Sequence, residues 1–338
     1  MWLRLTALLV LSLWGAGCGP VTLAIGVSPG DRHLTATVVE SEGWWNRDRV
    51  AIIDVSGMIL NAPKPGLLQA GDNPVGLLHE KLEMARLDKR VRAVILRLNT
   101  PGGTVTASDA MYRQIERFKT RTGKPVVALM MDVTASGGYY LACAADKIVA
   151  YPTTVTGSIG VILQTFSLKP ALNRLGIQTT ALTSGPNKDA GSPFSVLMPD
   201  QQAVLQSLVD DFYGRFREVV RQNRPLIAAD QFDELTDGRV LSGDRAVKVG
   251  MVDQVGDLYD AFRRAKKLAG LSSADLVLYH RPLQFVASPY ASAPMPGGGL
   301  GGGWSGGGTQ INLAQFNFPD QFGGVSVGFF YLWQPVQH

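Results

Sequence analysis

The stretch AVILRLNTPGG, residues 93–103, decides how the chain is read. Ala93 to Leu98 form a short apolar run, Asn99 to Gly103 a turn, and Ala107 to Lys119 follow with Met111, Ile115 and Phe118 at helical spacing. Strand, turn and amphipathic helix in that order begin a parallel β-α-β unit. The pattern repeats at once, with a strand at Pro125 to Met131, a turn at Asp132 to Gly138 and a helical run from Tyr139 to Ala145. A third strand is expected at Lys147 to Tyr151, then a glycine-punctuated apolar run from Gly157 to Leu163. Such repetition predicts an α/β domain with a largely parallel sheet. In these sheets ligands gather at the turns beyond the C-terminal ends of the strands.

Working outward, Val50 to Val55 is an apolar run ended by Ser56-Gly57 and reads as a buried strand. Alternation from His33 to Val39 suggests an added edge strand, and Asn73 to Leu87 a helix with Leu78, Leu82 and Ala85 on one face. A long helix is expected from Asp200 to Asn223, striped by Leu205, Leu208, Val209, Phe212, Phe216 and Val220 and ended by Arg224-Pro225. A short unit from Arg239 to Gly256 precedes a helix near Leu258 to Leu268. From Ala293 the composition turns to MPGGGLGGGWSGGG, a linker that cannot pack a core. The expected organisation is a signal peptide at 1–18, an extension at 19–48, the α/β domain at 49–270 and a second extension at 271–292. A glycine-rich linker at 293–308 and an apolar tail at 309–338 complete it. The tail's apolar patch, Phe322 to Trp333, is suited to docking on the domain, on a partner or on a membrane surface.

With 338 residues, 46% of them apolar, the chain can bury a sizeable core. Its formal charge of +4 is mild and its cations are scattered, which argues against a nucleic-acid partner. Two cysteines cannot build a disulfide framework. The first 17 residues carry one cation at Arg4, an apolar stretch from Leu5 to Trp14, and small residues before Cys18, as in a signal peptide. The ending Gly15-Ala16-Gly17-Cys18 is similar to a bacterial lipoprotein signal, in which the cysteine is lipidated, but has glycine where leucine is usual. Lipidation of Cys18, cleavage without lipid, and retention as a weak anchor are the alternatives. Cys143, in an apolar helical stretch, reads as a buried, inert thiol.

Two glycine-rich turns follow adjacent strands. Pro101-Gly102-Gly103 lets backbone N–H groups approach a substrate closely. Ala135-Ser136-Gly137-Gly138 puts a serine at the start of a helix, placed like a nucleophile, with the N–H groups of Gly137 and Gly103 as an oxyanion hole. On local sequence alone, Ser136 as an ordinary N-cap in a tight turn is the stronger reading. A nucleophilic serine needs a base. None of His33, His79, His280 and His338 lies in a glycine-rich turn at a strand end, so a Ser-His-Asp arrangement has weak support. A buried lysine with lowered pKa serves the same purpose, but Lys188 in TSGPNKDAG reads by its setting as a surface lysine.

The segments AIIDVSGMI, LRLNTPGGTVTASDAMY, VVALMMDVTASGGYYLACAADKIVAYPTTVTGSIGV, TSGPNKDAGSPF and TDGRVLSGDRAVKVGMVDQVG resemble, in order and spacing, the SppA-type signal peptide peptidases. The resemblance spans about residues 50 to 270. It implies a ClpP/crotonase-like fold of repeated β-β-α units and a Ser-Lys dyad acting on residual signal peptides and other membrane-associated polypeptides. By motif, Ser136 matches the nucleophile, Lys188 the general base, Ser158 in TGSIGV a hydroxyl that orients the lysine, and Gly103 and Gly137 the oxyanion donors. The chain carries one copy of the serine-lysine module, and single-copy members resemble ring-shaped homo-oligomers whose neighbouring subunits complete the active site. The implied location is the bacterial cell envelope, outside the cytoplasm, anchored at the membrane through the N-terminal region.

No cofactor or metal is expected, because no cysteine or histidine cluster has metal spacing and His79-Glu80 lacks a second histidine. Gly303-Trp304-Ser305-Gly306-Gly307 fits the nucleophile-elbow pattern, but both flanks are glycine linker. Two rival readings are a crotonase-like acyl-CoA enzyme, which shares the glycine-turn oxyanion hole without needing both Ser136 and Lys188, and a catalytically silent scaffold.

Overall fold

The computed structural model describes residues 33–45, 47–63, 71–282, 286, 288–291 and 329–333. Cys18, the rest of the expected signal segment, the glycine-rich linker and most of the tail lie outside the described residues.

Apolar β-branched runs build the strands. β1 (Thr35–Ser41) and β2 (Arg49–Ser56) precede α1 (Pro74–Leu87), whose first turn is capped by Asn73 accepting from the N–H groups of Val75 and Gly76. β3 (Val91–Thr100) and the short β4 (Gly102–Thr104) lead into α2 (Val105–Thr122), which ends on Gly123 in the left-handed conformation. β5 (Val126–Ala135), α3 (Gly137–Ala142), β6 (Lys147–Ala150), β7 (Val155–Gly157) and β8 (Ile162–Leu163) follow. Next come α4 (Lys169–Arg174), α5 (Pro199–Asn223), α6 (Phe232–Leu235), β9 (Val240–Ser242), α7 (Gly243–Lys248) and β10 (Gln254–Val255). α8 (Leu258–Ala269), β11 (Asp275–His280) and β12 (Phe329–Leu332) complete the described elements.

The main sheet runs β1-β11-β2-β3-β5-β6-β10, with β7 and β9 extending it beside β5. All its pairings are parallel except β1 with β11 and β7 with β9. The α/β architecture with a largely parallel sheet is therefore as expected. Because both faces are covered, the central strands are apolar throughout rather than alternating. Ala51, Ile53, Leu96 and Ala128 pack with α1, α2 and α3 on one face. Val50, Ile52, Ile95 and Leu129 pack with Leu258, Ala261, Phe262 and Ala265 of α8 on the other.

The edge strand expected near His33 to Val39 is β1. β11 was not anticipated: its LVLY run lies in what reads as an extension, yet it inserts between β1 and β2. β5 also outruns its expected end at Met131. Pairing of Val133 to Ala135 with β7 keeps the chain extended through residues that read as a turn. In the long helix α5 the stripe is buried only toward the C-terminal end, at Phe216, Val219 and Val220, whereas Val204 and Leu208 are exposed.

A buried ionic network braces the rear of α3. Arg224, just past α5, donates to the Asp253 carboxylate at 2.8 Å and to the Gly250 carbonyl at 3.1 Å. Asp253 also accepts from Lys147 Nζ at 2.9 Å and from the Ile148 N–H at 2.8 Å. Tyr139, the third residue of α3, donates to the Met251 carbonyl of the same loop at 2.9 Å. Burial alone would raise the Asp253 pKa, but the Lys147 and Arg224 bonds outweigh it and the net shift is downward. Asp253→Ala would strand Arg224 without its partner, at a cost of about 3–5 kcal/mol measured by urea unfolding at neutral pH. With the folded pKa depressed, the carboxylate's contribution is whole above the ordinary aspartate value of about 4 and is lost as pH falls through the folded value. The wild-type and mutant stabilities should therefore converge in acid.

Candidate active site

Three strand ends converge on one point. β3 and β5 stay paired to Thr100 and Thr134, and β5 and β7 to Ala135 and Gly157. Threonine hydroxyls tie these ends together: Thr134 donates to the Leu98 carbonyl at 2.8 Å, and Thr156 to the Thr134 carbonyl at 2.7 Å. Thr100 accepts from the Gly102 N–H at 3.1 Å. Buried polar groups so satisfied hold the turns without a cost in unpaired donors.

Ser136 leaves β5 with φ 52° and ψ −116°, outside the regions open to ordinary L-residues. Its N–H is held by the Gly157 carbonyl at 2.8 Å. Ser158, next along, has φ 51°, and its N–H is held by the Arg239 carbonyl at 2.7 Å. Among the described residues these are the two non-glycine positions with positive φ. Strain of this kind costs on the order of 1–3 kcal/mol per residue and collects at functional sites. Ser136 is 1% exposed, and its Oγ is buried without a hydrogen-bond partner.

The glycines allow close approach. A methyl group on Gly103 would sit 1.9 Å from the Ile59 carbonyl oxygen, and one on Gly138 would sit 2.7 Å from Thr100 Cγ2 and 3.0 Å from its carbonyl oxygen. Gly102, at φ 105°, lies close to the Gly137 nitrogen, which is 2.8 Å from the place a methyl on Gly102 would take. Gly137 opens α3, so its N–H has no acceptor inside the helix. α3 is too short for its dipole to matter much.

Across this point runs β12. It pairs antiparallel with β4, Tyr331 facing Gly103, and with β8 on its other side. The Trp333 N–H donates to the Pro101 carbonyl at 2.9 Å. Two residues along, the register makes Tyr331 and Gly103 the next hydrogen-bonded pair, with the Gly103 N–H turned to the Tyr331 carbonyl. That carbonyl oxygen lies 2.0 Å from a methyl placed on Gly102 and 3.2 Å from one placed on Gly137. The tail thus sets a peptide carbonyl in the corner between the two glycine turns.

The structure brings together Ser136, Gly137 and Gly103, with Ser158 adjoining through Gly157. Lys188 stands apart. It is exposed, and its ammonium makes no hydrogen bond or ion pair among the described residues, so it is not bonded to Ser136. His280 is engaged at the sheet edge by Thr37 Oγ1 and the Arg281 carbonyl, each at 2.8 Å, and is not a base for Ser136 either. Burial pushes the Cys143 thiol up to about 12, which fits an inert core residue. Among the described residues no group of His, Cys, Asp or Glu is arranged to hold a metal, and no helix is long and apolar enough to cross a membrane. The threonine ties and the Tyr331 strand were missed from sequence. Their signals were the threonines at strand ends and the apolar tail patch.

Residues 118–272 match the profile of peptidase family S49. A candidate protease of Synechocystis sp. is 36% identical over 225 residues, covering 67% of this chain and 76% of that one. The chain belongs to peptidase family S49. The candidate signal peptide peptidase SppA of Enterococcus faecium is 32% identical over 250 residues, 74% of this chain and 72% of its own. Protease 4 of Salmonella typhi is 33% identical over 230 residues, 68% of this chain and 36% of its own. This S49 member is accordingly a serine peptidase, and polypeptides are its substrates.

Gly138→Ala tests whether the contact between the two turns matters to the chemistry. The added methyl would push α3 from Thr100, and a displacement near 1 Å at the reacting atoms lowers kcat/KM by about 100-fold. Thermal unfolding run alongside separates this from global loss of structure.

Proposed function

We propose that this peptidase works through a Ser-Lys dyad assembled between subunits, with Ser136 from one chain and Lys188 from its neighbour, on signal-peptide remnants and other apolar polypeptides in the cell envelope. The observation that carries the reading is the pairing of a strained, sealed and unpartnered Ser136 Oγ with a Lys188 that is exposed and unbonded in its own chain. A buried hydroxyl without a partner costs about 1–3 kcal/mol, and a second subunit is the natural source of the missing group. The segment carrying Lys188 supports this. Phe166, Leu168, Leu175, Ile177, Leu182 and Phe194 are all exposed along it. Apolar exposure on that scale marks an interaction surface, and the bare N-terminal half of α5 continues it. A C2 or ring arrangement of identical chains would cover it and deliver Lys188 to the next site.

In the reaction, Ser136 Oγ attacks the scissile carbonyl carbon as Lys188 Nζ takes its proton. The oxyanion is received by the Gly103 and Gly137 N–H groups. The lysine returns the proton to the departing amine, and water then releases the acyl group from Ser136. Ser158 is the positioning hydroxyl for the lysine amine. The relatives named as signal peptide peptidase and Protease 4 support polypeptide cleavage, and the signal-like sequence ending at Cys18 supports a place in the envelope. An acyl-CoA enzyme would give the strained serine no task.

Ser136→Ala and Lys188→Ala should each lower kcat/KM by at least about 10⁴-fold. Mixing the two inactive variants after dissociation should restore activity, to about a quarter of wild type for random assembly, since a quarter of the interfaces then hold both intact residues. Failure of mixed, properly assembled oligomers to regain activity would place the dyad within one chain. A Lys188→Ala protein still labelled by a fluorophosphonate at the wild-type rate would remove the lysine from the mechanism.

A further inference from the structure

One peptide unit links the two strained serines. The carbonyl of Gly157 accepts from the Ser136 N–H at 2.8 Å, and the N–H of the same unit, that of Ser158, donates to the Arg239 carbonyl at 2.7 Å. Ser136 is thus hung from Arg239 through a single planar amide. The approach is close: a methyl group on Gly157, at φ 89°, would lie 2.8 Å from the same Arg239 oxygen. β7 and β9 pair as far as Gly157 and Val240. Beyond that point Ser158 turns at φ 51°, and the Arg239 carbonyl holds the outer side of the amide.

Arg239 is in turn fixed by its own side chain. The Asp237 carboxylate accepts from the Arg239 backbone N–H at 3.0 Å, from Nε at 3.0 Å and from Nη2 at 2.8 Å, closing a ring about Gly238. Nη1 donates to Glu234 of α6. Gly238, at φ 94°, gives the turn no stiffness of its own. One carboxylate therefore grips both the backbone and the guanidinium of Arg239 and sets how its carbonyl points. The Arg239 hydrogen bonds hold the Asp237 carboxyl below its ordinary range, so the clamp stays charged at neutral pH. Stability alone does not account for it. The side chains of Arg239, Asp237 and Glu234 are 35%, 47% and 62% exposed, and ion pairs so exposed add little to folding.

We propose that Arg239, clamped by Asp237 and Glu234, is a positioning residue for catalysis, which through the Gly157–Ser158 amide keeps Ser136 and Ser158 at their working angles. This rests on the reading of Ser136 as nucleophile. Strain makes such support necessary, because a residue at φ 52° relaxes toward an ordinary region of backbone space once the bonds that hold it loosen. Arg239 acts at one remove: its guanidinium is occupied by the two carboxylates, and what reaches the site is the direction of its carbonyl. A displacement near 1 Å at the reacting atoms lowers the rate by about 100-fold, so a loosened turn is felt as lost chemistry rather than lost binding.

The test uses the full-length assembled protein and its Arg239→Ala, Arg239→Lys and Asp237→Ala variants. Hydrolysis of fluorescently labelled, unfolded casein gives kcat and KM, and a fluorophosphonate gives the rate at which Ser136 is modified. Arg239→Ala should lower kcat and the labelling rate together by about 100-fold, with KM within about twofold of wild type. Arg239→Lys and Asp237→Ala should each lose about tenfold, since an ammonium keeps the charge but cannot make the side-on pair with the carboxylate. Thermal unfolding midpoints should stay within about 2 °C of wild type. Wild-type kcat in Arg239→Ala would overturn the proposal. So would a rise in KM at unchanged kcat, which would mark a substrate contact, or a loss of activity that returns in full on cooling far below the unfolding midpoint. Casein cleavage by wild type and by Ser136→Ala, run alongside, separates two failures. Ser136-dependent cleavage that Arg239→Ala leaves intact sinks this proposal alone, whereas absence of any Ser136-dependent cleavage sinks the nucleophile reading together with it.

Discussion

The site depends on backbone touching backbone where no side chain stands between. A methyl group would meet backbone within 3.0 Å at Gly102 and Gly103, Ser108 Oγ at 2.5 Å on Gly137 with the Gly102 Cα at 3.2 Å, and Thr100 Cγ2 at 2.7 Å on Gly138, and these close contacts let two strand-end turns close on one another. Parallel pairing of β3 with β5 brings the turns to the same end of the sheet, but pairing alone would leave them a strand spacing apart, about 4.8 Å. The missing side chains close the remaining gap. Closeness here is a chemical requirement, since two N–H donors can share one oxygen only if both lie within about 3 Å of it.

Rigidity comes from behind. α3 is a turn and a half long and has little stability of its own. It is held by burial of Tyr139, Tyr140 and Leu141, by the Tyr139 hydroxyl on the Met251 carbonyl, and by the Arg224–Asp253–Lys147 network around that loop. The hydrophobic face fixes where α3 lies and the polar bonds fix how it is turned. Ser136, at its head, inherits both constraints, which is how a residue can be kept at φ 52°.

Much of this was legible in the chain. The runs at 50–55, 93–98 and 125–131 declared buried strands because a doubly covered parallel sheet leaves no polar alternation, and α2 and α8 declared themselves by period. The extension of β5 was not legible, because Thr134 and Ala135 carry no strand signal strong enough to override the glycines after them; the partner strand β7 supplies it from 20 residues away. β11 was hidden by its place in the sequence, since nothing local says that a strand after the last helix returns to the middle of the sheet. At the site, the glycine turns marked the serine and its two N–H donors, while Lys188 rested on motif resemblance alone. Its exposure explains why: in its own chain Lys188 has the surroundings of an ordinary surface lysine, so no local feature marks it.

The proposed division of the dyad between chains would also bear on control. If the dyad is divided as proposed, a monomer would hold Ser136 with no base to remove its proton at useful rates, and so would not cut. In the proposed assembly the base would arrive at the same moment that the exposed apolar side chains from Phe166 to Phe194 are covered. Under this reading the hydrophobic gain of association and the onset of chemistry are one event, and activity is confined to the place where subunits accumulate. A soluble monomer with a complete dyad would lack that restraint. On the proposed reading the exposed lysine would be half of a site, and its exposure in one chain would be what the division requires.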